Sequence, residues 1–229
     1  GAGLLLPATT ITADGAARVG YVGVQQLHRA AWSLGTLEIR AEAQAIVTAG
    51  LAGFGGDYTR VRTDCHLVGR GATGNLLAAY FGDGDQTLDY RTFQEHVAPD
   101  TTSNLLFKGT VSDRSRSVYT GLIRVAKGAR GTNAFQTNRN IKLSEEAWAE
   151  SVPNLEIENN DVHCSHASAV GPIDEEQRFY LESRGVPTRV AERLIVAGFF
   201  AEVFDQLPAS DLRPSLDAAV AAKLSAVLA

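Results

Sequence analysis

Methionine is absent from the 229 residues, and cysteine occurs only twice, at Cys65 and Cys164. Two thiols are too few for a disulfide framework and fit a reducing compartment, so the chain is expected in the cytoplasm. Runs of Lys and Arg are also missing; a net charge of -5 and a pI near 5.5 exclude a dedicated nucleic-acid binder. The longest near-apolar stretch, Leu194 to Phe204, is too short to cross a bilayer and carries Glu202, so no membrane span is expected. The opening Gly-Ala-Gly-Leu-Leu-Leu-Pro lacks the basic and apolar regions of a secretion signal. A start at Gly1 without an initiator points to a fragment or trimmed chain, with part of the function in sequence upstream. No Gly-x-x-x-x-Gly-Lys-Ser/Thr run exists, so any ATP used in the pathway belongs to another subunit. Nothing resembles Gly-x-Ser-x-Gly, which leaves a serine hydrolase without support.

What is present is an ordinary globular composition, 45% hydrophobic and 21% charged. Up to about Val170, short strand-like runs alternate with Gly, Asn and Asp: among them Ala17–Val24, Ala45–Val47, Tyr58–Arg62, His66–Val68, Leu76–Phe81, Gln86–Arg91, Asn104–Lys108, Ser117–Val125, Ala134–Thr137, Asn140–Leu143 and Leu155–Glu158. Many short strands about ten residues apart describe a sandwich, a barrel or a stacked solenoid. Asn104, Asn133, Asn138, Asn140 and Asn154 at turn positions favour a solenoid, but no exact repeat separates it from a sandwich. Val24 to Leu34 carries apolar residues at helical spacing and is the one helical candidate in this region.

Beyond Gly171 the pattern becomes helical. Asp174 followed by Gln177 forms a capping box, and Gly185 stops that helix. A second helix is expected from about Pro187 to before Pro208, with Val196, Phe200, Val203, Phe204 and Leu207 on a broad apolar stripe. Leu216, Val220 and Leu224 mark a third. The division expected is therefore a β core over 1–171 and a helical C-terminal domain over 172–229. The phenylalanines of the second helix either pack on the β body or, where the stripe is too wide for one neighbour, offer a docking surface.

Three motifs bear on chemistry. Gly69-Arg-Gly-Ala-Thr-Gly74 matches the dinucleotide fingerprint, but only about seven residues separate it from Gly82-Asp-Gly-Asp85, too few for the helix it requires, so a turn is expected. Asp85, Asp89 and Arg91, with Glu95 and Asp100 nearby, would suit acid/base work on a polysaccharide, as in a β-solenoid lyase or hydrolase. Solvated turns and ion pairs explain them equally. Pro153 to Gly171 holds one of the two cysteines and two of the five histidines. If this segment is extended, Val162, Cys164, His166, Ser168 and Val170 share one face, with the Cα atoms of Cys164 and His166 roughly 7 Å apart. Thiolate and imidazole could then share a soft ion or face one ligand, though two donors fall short of a closed four-ligand site.

From Tyr80 onward the chain resembles the SufB/SufD family of iron–sulfur cluster assembly scaffolds. The resemblance is carried by Asp85-Gln-Thr-Leu-Asp-Tyr-Arg-Thr, His96-Val-Ala-Pro, Thr101-Thr-Ser-Asn-Leu-Leu-Phe-Lys-Gly, Ser115-Arg-Ser-Val-Tyr-Thr-Gly, Gln136-Thr-Asn-Arg-Asn, Asp161-Val-His-Cys-Ser-His-Ala, Gly171-Pro-Ile-Asp and Phe179-Tyr-Leu-Glu-Ser-Arg-Gly. It implies a right-handed parallel β-helix followed by a short helical domain, acting as a scaffold rather than an enzyme. The SufB side has a cysteine near the region matching Gln136 to Asn140; none is present here, which assigns the chain to the SufD side. The resemblance further implies that SufB pairs through the β-helix, that the SufC ATPase docks on the C-terminal helices at Phe200, Val203 and Phe204, and that His166 and Cys164 stand at the SufB interface, where a transient cluster or iron forms. Reduced flavin is associated with the full complex, but no flavin motif is seen and no cofactor is expected in the isolated chain. Two copies are expected to pair when SufB is absent.

Overall fold

The computed structural model describes residues 2–228. Thirteen strands and three helices follow one another in that order. One sheet holds β1 (Gly3–Leu5), β2 (Ala8–Ala13), β4 (Ala31–Ala41), β6 (Tyr58–Leu67), β8 (Thr87–His96), β10 (Arg116–Val125) and β12 (Trp148–Ile157). The other holds β3 (Arg18–Gln25), β5 (Ile46–Gly53), β7 (Thr73–Gly82), β9 (Thr102–Val111), β11 (Thr132–Lys142) and β13 (Val162–Gly171). Consecutive long strands alternate between the sheets and every pairing is parallel, so the chain winds as a parallel β-solenoid of about 6 turns. The register Tyr58↔Thr87↔Arg116 sets one coil at about 29 residues. This is the period that reading strand by strand conceals, because each coil contains two strands.

Corners, not strands, carry the repeat most plainly. Left-handed backbone recurs at Gln44, Gly71, Asp100 and Gly131 on one side and at Gly56, Gly84 and Asp113 on the other. Gly and Asp tolerate that region; Gln44 is held there by a hydrogen bond from its N–H to the Arg70 carbonyl, 2.9 Å. Gly69–Gly74 is one such corner: a Cβ on Gly69 would lie 1.9 Å from the Ala43 nitrogen, and β7 begins immediately at Thr73. The helix expected over Val24–Leu34 does not form. Leu37, Ile39 and Ala41 alternate inward against Thr36, Glu38 and Arg40 outward, and this period of two continues β4 as far back as Ala31. Strand β12 likewise starts at Trp148, well before Leu155.

Inside the coils, Tyr80 stacks on Tyr90 at 4.5 Å, Tyr90 meets Phe107 edge-on, and Phe107 meets Tyr119. These rings are buried, and two of the hydroxyls find partners: Asn138 donates to Tyr80 Oη at 3.0 Å, and Tyr119 Oη pairs with Thr92 Oγ1 at 2.9 Å. Gly109 is required below them, since a Cβ there would lie 2.0 Å from the Tyr80 ring. His96 is a core histidine, its ring nitrogens bonded to Thr101 and Ser103 hydroxyls at 2.8 Å.

The helices follow the expected caps. Asp174 accepts from the N–H groups of Glu176 and Gln177 at the start of α1 (Glu175–Glu182), and Gly185 ends that segment with φ of +83°. Helices α2 (Thr188–Phe204) and α3 (Arg213–Val227) lie against the outer face of the second sheet. Phe200, Val203 and Phe204 pack there with Leu77, Ala79, Phe81, Val220 and Leu224. Their assignment as ATPase-docking residues is thereby corrected: all three are at most 4% exposed, because the stripe that includes them is consumed in covering the sheet. One buried and one half-buried lysine pin the helices. Lys108 Nζ donates to the Phe199 carbonyl at 2.9 Å and pairs with Glu202, while Lys223 Nζ donates to Gln86 Oε1 at 2.6 Å and pairs with Asp83. No helix among the described residues is long and apolar enough to cross a membrane.

Burial holds the His96 imidazole neutral, lowering its pKa to about 4. The native state therefore binds fewer protons than the unfolded chain, and stability present above pH ~6.5 drains away as pH falls toward 4. The full effect is about 3 kcal/mol. Denaturant titrations from pH 8 to 4 should show that decline, and His96→Gln, which retains hydrogen bonding but cannot titrate there, should show a shallower one.

Candidate functional site

The last coil consists of β12 and β13, and each is the terminal strand of its sheet among the described residues. Parallel pairing in register keeps aligned residues on the same face. Thr132↔Val162, Ala134↔Cys164, Gln136↔His166, Asn138↔Ser168 and Asn140↔Val170 therefore place the five residues Val162, Cys164, His166, Ser168 and Val170 on the inward face, directly above buried residues of β11. The shared face expected for Cys164 and His166 is present. What the alternation could not reveal is its direction: it faces the coil interior, not the outside of the solenoid.

Among the described residues no further coil covers this face, so the inward residues of the rim are open. His166 is exposed, and Ile157 and Val170 are 44% and 41% exposed despite facing inward. Cys164 is half-buried, packed with Val162 against Ile123, Val125, Ala129 and Ala134. Partial burial pushes its thiol pKa up, an effect opposed by a hydrogen bond from the Ala134 backbone. Cys65, on β6 in the other sheet, is fully buried, and its thiol is pushed up to about 12 by desolvation. The unpaired backbone of β12 and β13 forms a second feature of the rim: a row of free N–H and C=O groups beside the two side chains.

Among the described residues no group of three or more His, Cys, Asp or Glu side chains could hold a metal. Cys164 and His166 thus offer two donors, a thiolate sulfur and an imidazole nitrogen, and a chelate there needs the rest of its ligands from outside this chain. The carboxylates proposed for polysaccharide chemistry are otherwise engaged. Asp89 accepts from Arg91 Nε at 3.1 Å and from the Tyr58 hydroxyl at 3.4 Å, with Arg60 nearby. Asp85 is bound bidentately by Arg114, whose hydrogen bond lowers its pKa, the wrong direction for a general acid. Glu95 bridges His66 and Arg124. Apart from Asp89–Arg91, which lies within β8, these pairs tie neighbouring coils together on the outer face and at a corner.

One polar residue at the site was not singled out by reading the strand alone. Gln136, beneath His166, is buried. Its signal is the alternation Gln136, Asn138, Asn140, three inward polar residues on one strand, in a core that also buries Gln94 and His96.

Residues 1–199 match the family described as SUF system FeS cluster assembly, SufBD core domain. An iron–sulfur cluster assembly SufBD family protein of Mycobacterium tuberculosis is 41% identical over 175 residues, covering 73% of this chain and 44% of that protein. The iron–sulfur cluster assembly protein SufD of Escherichia coli is 36% identical, covering 75% of this chain and 40% of its own length. SufD of Bacillus subtilis is 34% identical, covering 69% and 36%. The chain thus spans less than half the length of these relatives.

The two thiols differ enough to be told apart chemically. In the native chain, iodoacetamide at pH 8 should alkylate Cys164 and spare Cys65, and both should react in denaturant. Peptide mass mapping checks this, and early modification of Cys65 would contradict the burial described.

Proposed function

This chain belongs to the SufBD core family of SUF-system iron–sulfur cluster assembly proteins, and we propose on that footing that it serves as a SufD-like scaffold subunit rather than an enzyme. The observation that carries this reading is the open rim of the last coil, where Cys164 and His166 stand beside unpaired strand edges. A related β-solenoid, SufB in this reading, adds its own edge there and brings the missing ligands. The nascent cluster, or the iron that enters it, is then cargo held between two subunits. Two donors on this side and the rest on the other let the cluster leave when the subunits separate, which a closed four-ligand site would not. Without SufB, the same edges pair with a second copy. Reduced flavin, if used, belongs to the full complex.

The helical segment, 172–229, forms the second functional part beside the β core of 1–171. SufC docking on it uses what the core leaves free. Phe179, Tyr180, Val190 and Leu194 are exposed, and a groove between α1 and α2 is lined by Glu176, Gln177, Tyr180, Leu181, Leu194 and Ile195. The lysine anchors Lys108 and Lys223 then transmit movement of the helices to the sheet beneath them.

Two experiments test these assignments. His166→Ala should abolish cluster formation on the reconstituted complex while SufB and SufC still copurify; full activity of the variant would reject the interface assignment. Leu194→Asp should weaken SufC capture about tenfold or more with an unchanged melting temperature. Phe200→Ala should instead lower stability by about 3–5 kcal/mol, the usual result of emptying a core aromatic site. Capture indifferent to Leu194→Asp would place the docking surface elsewhere.

A further inference from the structure

His166 does not stand over an apolar floor. Its in-register neighbour one strand below is Gln136, 1% exposed, and neither Oε1 nor Nε2 of that amide has a hydrogen-bond partner among the described residues. A buried amide with unmet groups costs roughly 1–3 kcal/mol for each, so an apolar side chain of equal length would suit the coil better if packing were the only demand. Space for the amide is nevertheless provided. A Cβ on Gly121 would lie 2.1 Å from Gln136 Nε2 and 2.4 Å from Tyr119 Oη, so glycine at 121 leaves room for the head group to reach across the coil. Tyr119 does not satisfy it, its hydroxyl being paired with Thr92.

Adjacent strands lie about 4.8 Å apart, and both side chains face inward. No hydrogen bond joins the imidazole and the amide in this arrangement, where the amide lies across the coil against Gly121, so the amide must rotate about its side-chain torsions to meet the ring. We propose that Gln136 is a positioning residue for His166, engaging the ring nitrogen on the coil side and fixing the tautomer so that the other nitrogen faces the open rim as a neutral ligand. A primary amide is suited to this because its oxygen accepts from a ring N–H and its nitrogen donates to a bare ring nitrogen, without adding a charge that would favour imidazolium. The inference rests on the reading of His166 as the ligand presented to the sister subunit; the placement of the amide beneath the ring does not.

The test uses the whole chain labelled with ¹⁵N-histidine. Ring ¹⁵N shifts, assigned to His166 by their loss in His166→Gln, report the tautomer ratio. In the unmodified chain one tautomer should dominate by about tenfold. Gln136→Leu should return the ring to the mixture of a free imidazole, and Gln136→Glu should lock the N–H toward the carboxylate; melting curves identify the variants that keep the fold. Identical His166 shifts in the unmodified chain and every folded variant would overturn the proposal. The readout needs no partner and no cluster. Altered shifts with intact cluster assembly in His166→Ala would sink the interface reading while leaving the positioning role, and unaltered shifts with lost assembly would do the reverse.

Discussion

Everything in this molecule depends on one coil lying in register on the next. A parallel ladder satisfies the backbone of each strand only through its two neighbours, and inward side chains are covered only by the coils above and below. Within the stack the arrangement repeats every 29 residues or so and yields a buried column of Tyr80, Tyr90, Phe107 and Tyr119. At the end of the stack the same geometry leaves backbone and inward side chains uncovered together. Reactive groups at the rim are thus a product of the fold's termination, and the residues there are of a different kind: Cys164 and His166 stand in register over Ala134 and Gln136, and Ser168 tops the column that holds Phe107 deeper in the stack.

The second organising contact is the cover of helices over the outer face of the β7 and β9 sheet. Burial of Phe200, Val203 and Phe204 is one half of it, and the two lysines are the other. Lys108 is nearly inaccessible, and its burial is tolerable because a carbonyl, a carboxylate and the Phe199 ring surround its Nζ. Lys223 meets Asp83 and Gln86 at a corner of the solenoid, so α3 is tied to the same turns that set the coil pitch. Burial lowers the Lys223 pKa and Asp83 counters it, the balance expected of a paired buried ammonium. A pull on the helices has polar, directional paths into the β body, where a purely greasy contact would slide.

Legibility in the sequence varied with how local each feature is. Caps and stops of α1 follow from Asp174, Gln177 and Gly185, and the face shared by Cys164 and His166 follows from period two alone. Val24–Leu34 misled because Val24, Leu27, Ala31 and Leu34 satisfy helical spacing, although a strand beginning at Ala31 takes its neighbours from β6, far along the chain. The apolar stripe of α2 was visible, but whether it met the protein's own sheet or a partner depends on what lies beside it. The same holds for Asp85 and Asp89, whose arginine partners come from other coils or from the adjacent position on the strand.

By itself the sequence determined that the chain is mainly β with many short strands, the change from strands to helices at Gly171, and the pairing of a thiol and an imidazole on one strand face; the solenoid followed from the family motifs. Those properties rest on nearest neighbours, alternation and local backbone preference. Only the tertiary structure decided that this face looks into the coil, that the coil ends there uncovered, that Gln136 lies beneath His166 with its amide unmet, and that the phenylalanines of α2 are spent on the sheet. Each of these depends on residues brought together across a full coil or more, where register and stacking, not the preferences of any one segment, select the neighbour.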